Sequence, residues 1–406
     1  MSNLAKGPLH GIRVVELATY VAAPTCARAL ADWGAEVIKV EAPRGDFMRT
    51  MGALVNMPID DEENVAFDQQ NSNKKGIMIN LKEKEGVDLL HKLLSEADIF
   101  VTNNREDALM KMGISYPQLK EKYKNLVYGH LLGYGEFGPD KDKPGFDFCA
   151  YYARGGISGT LYEKGTSPLL TVAGFGDTQA GMFLAGGLCA ALYKAKQTGQ
   201  GEKVSVSLLH TGIFVMEHVI ASSQYGNNHY PRSRKDTLNP LQGIYETKDG
   251  RWLQMAMSEY DRLFPVVCKM IGREDLLDCK EFLQFETVKE NPKALIDILD
   301  EEMKKKDIAE WQDLFEKNDL PCDKAMLWEE ILEDEQAWAN EVLAKVGGYK
   351  NGAERIVVNT PVKFKEMGLP EFNKGPKPGE HTGEVLREYG YSQEQILQMK
   401  NQGTVR

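Results

Sequence analysis

Residues 12–43 read IRVVELATYVAAPTCARALADWGAEVIKVEAP, and this stretch decides the fold class. The run IRVVEL is rich in β-branched residues, as buried strands are, and EVIKVE has the same character and ends before a proline. Between them, PTCARALADWGA has the length and composition of a helix. A strand, a helix and a strand at this spacing predict parallel strands joined by a right-handed crossover, which indicates an α/β fold.

The same alternation continues along the chain. GIMINL, DIFVTN and NLVYGHLLGYG predict further strands, while KEKEGVDLLHKLLSEA and EDALMKMG predict helices. Residues 48–72 have no clear period and predict a long functional loop. A helix over about 178–197 ends at the turn TGQG and is followed by a strand and an apolar helix. Together these patterns predict a doubly wound parallel sheet.

A change of composition marks a domain boundary. Residues 222–240 are polar and turn-forming, and residues 241–330 look like an α+β unit. This unit opens with GIYETKDGRWLQMAM, in which a D-G pair between apolar runs predicts a β-hairpin. After EDEQAWAN the chain becomes extended and proline-rich, and it finishes with the helical pattern HTGEVLREYG.

Composition narrows the class of protein. The chain has 406 residues, 42% hydrophobic and 27% charged, which is typical of a globular enzyme. Its net charge of −11 argues against a nucleic-acid partner. We expect no signal peptide and no membrane partner, because the longest apolar run, GMFLAGGLCAALY, is too short to span a bilayer. Six cysteines without CxxC spacing predict a reducing cytoplasm.

Common catalytic signatures are missing from the sequence. We find no GxGxxG after a strand, no GxxxxGK[ST], no HExxH and no GxSxG. The seven histidines are scattered without metal-ligand spacing, so we predict no metal and no permanently bound cofactor.

One carboxylate stands out in residues 171–187, TVAGFGDTQAGMFLAGG, where Asp177 lies among small and apolar residues at the start of a helix. One interpretation is an N-cap, since aspartate accepts hydrogen bonds from the free amides of the first turn. The other is a nucleophile: a carboxylate at a helix N-terminus stays ionised, and Gly174, Gly176 and Gly181 would leave room for a substrate. The two interpretations are compatible.

Several segments together resemble the family III CoA-transferases, of the CaiB/BaiF type. They are residues 11–46, NKKGIMINLKEKEG, GYGEFGPDKDKPGFD, GFGDTQAGMFLAGGLCAALYKAKQTGQGEKVSVSLL and PGEHTGEVLREYGY, in that order. Within the family the chain looks most similar to clostridial (R)-2-hydroxyacyl-CoA transferases of amino-acid fermentation. The resemblance implies a Rossmann-like large domain formed by both termini, a smaller α+β domain and an interlocked homodimer. We therefore predict domains at 1–225 and 226–335, with 336–406 returning to the large domain.

The resemblance also implies the chemistry. The aspartate of the family's G-x-G-D-x-x-x-G segment, here Asp177, is the nucleophile. It forms a mixed anhydride with the acyl group of an acyl-CoA and then an aspartyl-CoA thioester, which the acceptor acid reverses. Backbone amides of the glycine-rich stretch could stabilise the oxyanions. Coenzyme A is thus a substrate, together with a carboxylic acid such as (R)-2-hydroxyisocaproate or (R)-phenyllactate.

Family alignment implies the contacts to CoA. They fall on Val21, Ala22, Ile79 to Lys82, Asn103, Asn104, Arg105, Lys111 and Lys143. The lysines and the arginine suit phosphate groups, although each is also typical of a solvated surface. Two departures stand out: Ala42 replaces a basic residue of some relatives, with Arg44 nearby, and residues 226–262 lack the glycine-run loop of formyl-CoA transferases.

Two rival functions are considered. α-Methylacyl-CoA racemases share the fold and use a histidine in a G-H-D segment, but this chain reads PGFD, and the Phe146 ring cannot exchange a proton. The second rival is a non-catalytic acyl-CoA-binding protein, which the intact Asp177 segment argues against. For the acyl pocket, we predict Phe47, Met48 and Met51, with Met57 beside them, although plain packing explains each equally well.

Overall fold

The computed structural model describes residues 7–226, 229–368 and 370–406. The chain forms two compact units. The first comprises the chain up to Ile157, then Thr171–Ile220 and Asp334–Arg406, and the second comprises Ser158–Leu170 and Ala221–Glu333. The second unit contains residues 158–170, which lie within the predicted 1–225 domain.

A six-stranded sheet forms the centre of the first unit, and all its strands are parallel. Its strands are β1 (Arg13–Leu17), β2 (Glu36–Glu41), β3 (Lys75–Met78), β4 (Ile99–Thr102), β5 (Val127–Leu132) and β6 (Lys203–Ser207). Their order is β3-β2-β1-β4-β5-β6, the order of the doubly wound Rossmann sheet. The predicted α/β class and the strand-helix-strand reading of residues 12–43 are confirmed.

Helices cover the sheet. They are α1 (Ala22–Asp32), α2 (Met48–Met51), α3 (Val65–Asn71), α4 (Lys84–Leu94), α5 (Glu106–Lys111), α6 (Tyr116–Lys122), α7 (Phe175–Thr198), α8 (Leu208–Val215) and α9 (Glu217–Ser222). Every residue of α1 is buried, because its alanines let it pack closely against α7. Gly181 marks the closest approach: a Cβ there would lie 2.4 Å from the carbonyl oxygen of Ala22. The site described below depends on this contact.

The prediction of one long loop over residues 48–72 is wrong. Two helices, α2 and α3, lie in this segment, with a 3₁₀ turn at Gly52–Val55 between them. Both helices are short, so contacts with the rest of the unit hold them. Arg49 forms an ion pair with Glu41 of β2 at 2.6 Å, and Asn64 caps α3 while its amide donates to the Arg49 carbonyl at 2.7 Å.

The second unit is α+β. It contains β7 (Ile244–Glu246), β8 (Trp252–Met255), β9 (Cys322–Lys324), α10 (Tyr260–Ile271), α11 (Phe285–Val288), α12 (Pro292–Met303), α13 (Ile308–Lys317) and α14 (Trp328–Ile331). Strands β7 and β8 are antiparallel and joined by the predicted D-G turn, with Gly250 at φ 72°. The predicted hairpin is confirmed. Trp311 and Phe264 are among the buried side chains of its own core.

The chain then returns to the first unit through α15 (Glu335–Ala339), β10 (Leu343–Val346), β11 (Arg355–Val358), α16 (Thr382–Glu388) and α17 (Gln393–Gln402). Leu386 and Ile396 complete an apolar cluster that also contains Leu90 of α4 and Ile77 of β3. Beyond β3, Ile79 pairs with Val405 in an antiparallel bridge. None of the described helices combines the length and the apolar character that crossing a bilayer requires.

Candidate active site

A cavity of about 900 Å³ opens outside the carboxyl ends of β1 and β4. The strand order reverses between these two strands, and ligands of doubly wound sheets bind at such switch points. All residues of its wall belong to the first unit. They are residues 19–22, 103–107, 130–133, 135–137, 141–146 and 202–203, together with Met110, Tyr116, Asp177 and Leu208. The topology therefore brings Asp177 to the place where a ligand is expected.

Asparagine side chains tie the two strand ends together. The Asn103 amide donates to the Thr19 carbonyl at 2.8 Å, and its Oδ1 accepts from the Thr19 N–H at 3.1 Å. Asn104 donates to the carbonyl of Leu17 at 2.8 Å. Both side chains, which the sequence places among the CoA contacts, thus make bonds within the protein. These bonds fix the shape of the crevice.

Asp177 is not the N-cap of α7. Gly174 holds that position with φ 83°, and Asp177 is the third helical residue, with its side chain in the cavity wall. The sequence missed the residue that serves the helix end, Asp147. Its carboxylate accepts from the Gly176 N–H at 3.1 Å, and the amides of the whole first turn face it. Asp147 therefore serves the helix end, and the carboxylate that faces the cavity is that of Asp177.

Two glycines near Asp177 have a role other than the one predicted. A Cβ at Gly176 would lie 2.2 Å from the Tyr151 ring and 2.5 Å from Asp147, and Gly181 lies against α1. These glycines permit close packing of the protein with itself, not access for a substrate. The Gly176 N–H also donates to Asp147, so this amide is not free to stabilise an oxyanion.

The electrostatics of the pair differ from the sequence expectation. Burial, followed by the nearby Asp147 carboxylate, raises the pKa of Asp177 to about 7. Burial also raises the pKa of Asp147 to about 6, although the amides of Gly174 to Asp177 oppose this rise. No cation forms an ion pair with Asp177 among the residues that the structure describes. A pKa of Asp177 raised to about 7 disfavours its ionised form, where the sequence had suggested a stable carboxylate.

His130 lies in the same wall, at the carboxyl end of β5. Burial lowers the pKa of His130 to about 4, so its ring is neutral near pH 7. Its Nε2 lies 2.9 Å from the carbonyl oxygen of Asn104, and a neutral ring must donate its proton there. His130 therefore braces the crevice and does not exchange protons at neutral pH.

The predicted CoA contacts are distributed unevenly. Val21, Ala22, Asn103, Asn104, Arg105 and Lys143 line the cavity. Ile79 is fully buried beside Val405, while Lys82 and Lys111 are exposed outside the cavity wall. Arg105, Lys141 and Lys143 are exposed cations of the wall, and none forms an ion pair within the described ranges. Lys141 was missed because nothing in its sequence context separates it from a surface lysine.

The predicted acyl-pocket residues do not themselves line this cavity. Phe47 stacks on Tyr20, with ring centroids 5.4 Å apart, and Tyr20 meets the edge of Phe146 at 5.6 Å. Tyr20 and Phe146 do belong to the wall, so Phe47 supports it from behind. Met48 and Met51 lie on α2, outside the wall. Arg44 lies over the Phe47 ring at 4.4 Å.

Across the described residues, no three histidine, cysteine, aspartate or glutamate side chains are grouped closely enough to hold a metal ion.

Comparison with known proteins gives consistent matches over the chain. Residues 9–382 match the family model of CoA-transferase family III. The chain is 50% identical over 398 residues to the (R)-2-hydroxy-4-methylpentanoate CoA-transferase of Clostridioides difficile, which covers 98% of this chain and 99% of that protein. It is 47% identical over 393 residues to the cinnamoyl-CoA:phenyllactate CoA-transferase of Clostridium sporogenes, covering 96% and 95%. The crystal structure of a CaiB/BaiF family protein from Brucella suis matches with a TM-score of 0.81 and 26% identity, covering 95% of this chain and 100% of that one.

Proposed function

The chain belongs to CoA-transferase family III, as its sequence predicted, and on that premise we propose that it moves CoA from an acyl-CoA to a 2-hydroxy carboxylic acid. The observation that carries this proposal is the Asp177 carboxylate in the switch-point cavity, with which no cation of the described part of the chain forms an ion pair. A carboxylate that no cation neutralises, facing a cavity of ligand size, is suited to nucleophilic attack.

The reaction proceeds in two halves. Ionised Asp177 attacks the thioester carbonyl of the donor, the C–S bond breaks, and CoA leaves as a thiolate, giving an acyl-aspartyl anhydride. The thiolate then attacks the Asp177 carbonyl carbon and releases the donor acid, which leaves an aspartyl-CoA thioester. The acceptor carboxylate attacks the same carbon and frees the thiolate, which takes the acyl group of the new anhydride and restores Asp177.

Asp147 has a supporting role in this mechanism. Its carboxylate accepts from the Gly176 N–H at the start of α7, a position where the Asp177 side chain would otherwise be a candidate cap. Its negative charge also disfavours ionisation of Asp177, and a carboxylate that is reluctant to ionise is a stronger base and nucleophile once it has done so. Asp147 thus positions and tunes the nucleophile without touching substrate.

We assign the phosphates of CoA to the exposed cations of the cavity wall, Arg105, Lys141 and Lys143. Val21 and Ala22, at the start of α1, line the inner part of the crevice beside Asp177. Lys82 and Lys111 would contribute only through a ligand that extends beyond the wall. Ile79 lies in the core and offers at most its backbone.

The acceptor is proposed to be a 2-hydroxy acid with a branched or aromatic side chain. The similar proteins are named for 2-hydroxy-4-methylpentanoate and for phenyllactate, both of which have apolar side chains. Tyr20 and Phe146 present aromatic surface in the same wall as Asp177, and Phe47 backs it. Aromatic surface of this kind favours an apolar acyl group over a small dicarboxylate. Met48 and Met51 would join such a pocket only through movement of α2.

An interlocked homodimer remains the expected assembly. Its support is a band of large apolar side chains that the single chain leaves exposed on α7, α8 and α9, namely Phe183, Tyr193, Ile213, Phe214, Val215 and Ile220. Phe183 and Phe214 are in edge-to-face contact at 5.7 Å, so the band is continuous there. Exposed apolar patches of this kind mark protein interfaces. Light scattering that finds a stable monomer at micromolar concentration would contradict the dimer.

The test is a transfer assay with an acyl-CoA donor and isotopically labelled acceptors. We expect label in the CoA thioester of 2-hydroxyisocaproate or phenyllactate, and little with oxalate. With acyl-CoA alone, borohydride or hydroxylamine should trap an adduct that peptide mass spectrometry places on Asp177. Exchange of the α-hydrogen with deuterated water, without transfer, would indicate a racemase instead. Binding of acyl-CoA without either reaction would indicate a non-catalytic protein.

A further inference from the structure

Four charged side chains are buried beneath the β1–α1 turn, the segment that lines the cavity beside Asp177. They are Glu16 in β1, Lys39 in β2, Asp46 after β2 and Lys74 before β3. The side chains of Glu16, Lys39, Asp46 and Lys74 are 0% exposed. We call these four residues the buried charge cluster. It contains two cations and two anions, so its formal charges balance.

The cations of the cluster hold both ends of the turn. Lys39 Nζ donates to the carbonyl of Ala18 at 3.1 Å, and Lys74 Nζ donates to the carbonyl of Pro24 at 2.9 Å. Glu16 links them, with Oε1 2.9 Å from Lys39 and Oε2 2.7 Å from Lys74. Residues 18–24 are therefore anchored at two carbonyls by two ammonium groups that share one carboxylate.

The remaining anion holds the middle of the turn. Asp46 pairs with Lys39 at 2.8 Å, and its Oδ1 accepts from the N–H of Tyr20 at 3.0 Å and from that of Met48 at 2.9 Å. Tyr20 has φ 67°, a left-handed conformation that costs a residue with a large side chain free energy. Such a conformation persists only where surrounding contacts enforce it, and Asp46 supplies one of them.

Stability alone does not explain this arrangement. Burying an ion carries a large desolvation cost, and well-packed apolar residues often stabilise a core at least as well. What the cluster adds is geometry. It fixes the backbone of Tyr20, Val21 and Ala22 in the cavity wall, and Val21 lies 3.7 Å from the Cβ position of Gly174, the N-cap of α7. The cluster thereby fixes the position of the β1–α1 turn relative to α7, the helix that carries the nucleophile.

We propose that Glu16, Lys39, Asp46 and Lys74 are positioning residues, which hold the Tyr20–Ala22 backbone in the conformation that binds the acyl-CoA against Asp177. This inference rests on the proposed function. It predicts that weakening the cluster impairs substrate binding and transfer more than an equal loss of stability elsewhere in the unit would.

The test compares two variants that each disrupt a buried ion pair. K39M/D46N removes one cation and one anion and leaves Glu16 and Lys74 balanced, while the new amide can still accept from Tyr20. The matched control is Asp32→Asn, which breaks the Arg28–Asp32 pair (3.3 Å, side chains 6% and 3% exposed) at the far end of α1. We expect K39M/D46N to raise the dissociation constant of CoA and to lower kcat/KM at least tenfold, and Asp32→Asn to change either less than twofold.

A folded K39M/D46N protein with CoA binding and kcat/KM within twofold of wild type would overturn the proposal, as would an equal loss in Asp32→Asn. If K39M/D46N does not fold, hydrogen exchange of the wild-type protein decides. Peptides covering residues 18–24 must then exchange as slowly as the sheet. Exchange at the rate of an exposed loop would refute the proposal that the buried charge cluster holds this segment. Neither CoA binding nor exchange depends on turnover, so failure of the proposed function, meaning no transfer by wild type, is recognised separately.

Discussion

Replacing the nucleophile should make the protein more stable. The raised pKa of Asp177, about 7 against an ordinary value near 3.8, corresponds to about 4 kcal/mol in favour of the protonated form. Above pH 7 the folded chain must hold that carboxylate ionised in a partly dry cavity, near Asp147 and without a cation. Asp177→Asn has almost the same shape and no charge, and Asp147 continues to cap α7. The variant therefore avoids the free-energy cost of holding an ionised carboxylate at position 177, which wild type carries.

The sign and the pH window follow from linkage. Below about pH 4 the carboxyl is protonated in the folded and the unfolded chain, so wild type and variant are equally stable. Between about pH 4 and pH 7 the unfolded chain ionises first, and wild type loses stability as pH rises. The expected advantage of Asp177→Asn is about 2 kcal/mol at pH 5 and about 4 kcal/mol at pH 8.

The assay is thermal unfolding at pH 5, 6.5 and 8, at one protein concentration. An unfolding entropy of about 2.1 cal/mol/K per residue makes 1 kcal/mol worth about 1 °C in this chain, so we expect Asp177→Asn to raise Tm by about 3–5 °C at pH 8. Asp313→Asn on the exposed side of α13 is the control, and we expect little change in its Tm. Transfer activity should fall by orders of magnitude in Asp177→Asn alone.

Two results would refute this reasoning. A gain that is the same at pH 5 and pH 8 would mean that the carboxylate is not the source of the cost. A loss of stability at pH 8 would mean that Asp177 is a structural residue after all, as the capping interpretation of the sequence had it.

Three further predictions concern the site and its support. Wild-type kcat/KM should rise with pH to a plateau with an apparent pKa of about 7, because only ionised Asp177 attacks. Asp147→Asn removes the neighbouring charge and should lower that apparent pKa in a pH–rate profile. An unchanged profile would show that Asp147 does not influence the ionisation of Asp177. Gly181→Ala should lower the free energy of unfolding by about 1–3 kcal/mol, because the new Cβ would meet the α1 backbone. Gly186→Ala on the same helix has open space around it and should be neutral or stabilising by up to about 1 kcal/mol. Equal effects of the two variants in denaturant titrations would contradict the close packing of α1 and α7. Asn103→Ala should lower kcat/KM several-fold by releasing Thr19, and unaltered kinetics would show that the brace is dispensable.

The regular parts of the fold were predictable because their signals are local. Strands β1 and β2 are short apolar runs, and the hairpin between β7 and β8 follows from its D-G turn. Helix α6 was missed although Ser115 and Gln118 form a capping box that the sequence displays. Helices α2 and α3 were missed for a different reason: the ion pair and the cap that hold them depend on tertiary contacts.

Asp177 was found by its surroundings and by its resemblance to a family segment, but its environment was misjudged. Asp147, which accepts from the first turn of α7, lies 29 positions before its partner Gly176, and no local pattern joins the two residues. Lys39 is a similar case, since its partner Glu16 lies 23 residues away. In the sequence, Lys39 is a charged residue that interrupts the apolar pattern of a strand. Only the assembled sheet shows that Glu16 neutralises its charge. The charge interactions between segments that are distant in the sequence could not be predicted from the sequence.

The return of residues 334–406 to the first unit has a consequence for how the protein matures in the cell. Leu386, Ile396 and Val405 share an apolar cluster with Ile77 and Leu90, which are synthesised about 300 residues earlier. The ribosome therefore releases the intervening second unit, whose core is its own, before the sheet of the first unit can be sealed. Until residues 386–405 are made, Ile77 of β3 and Leu90 of α4 lack the apolar side chains that cover them in the folded unit.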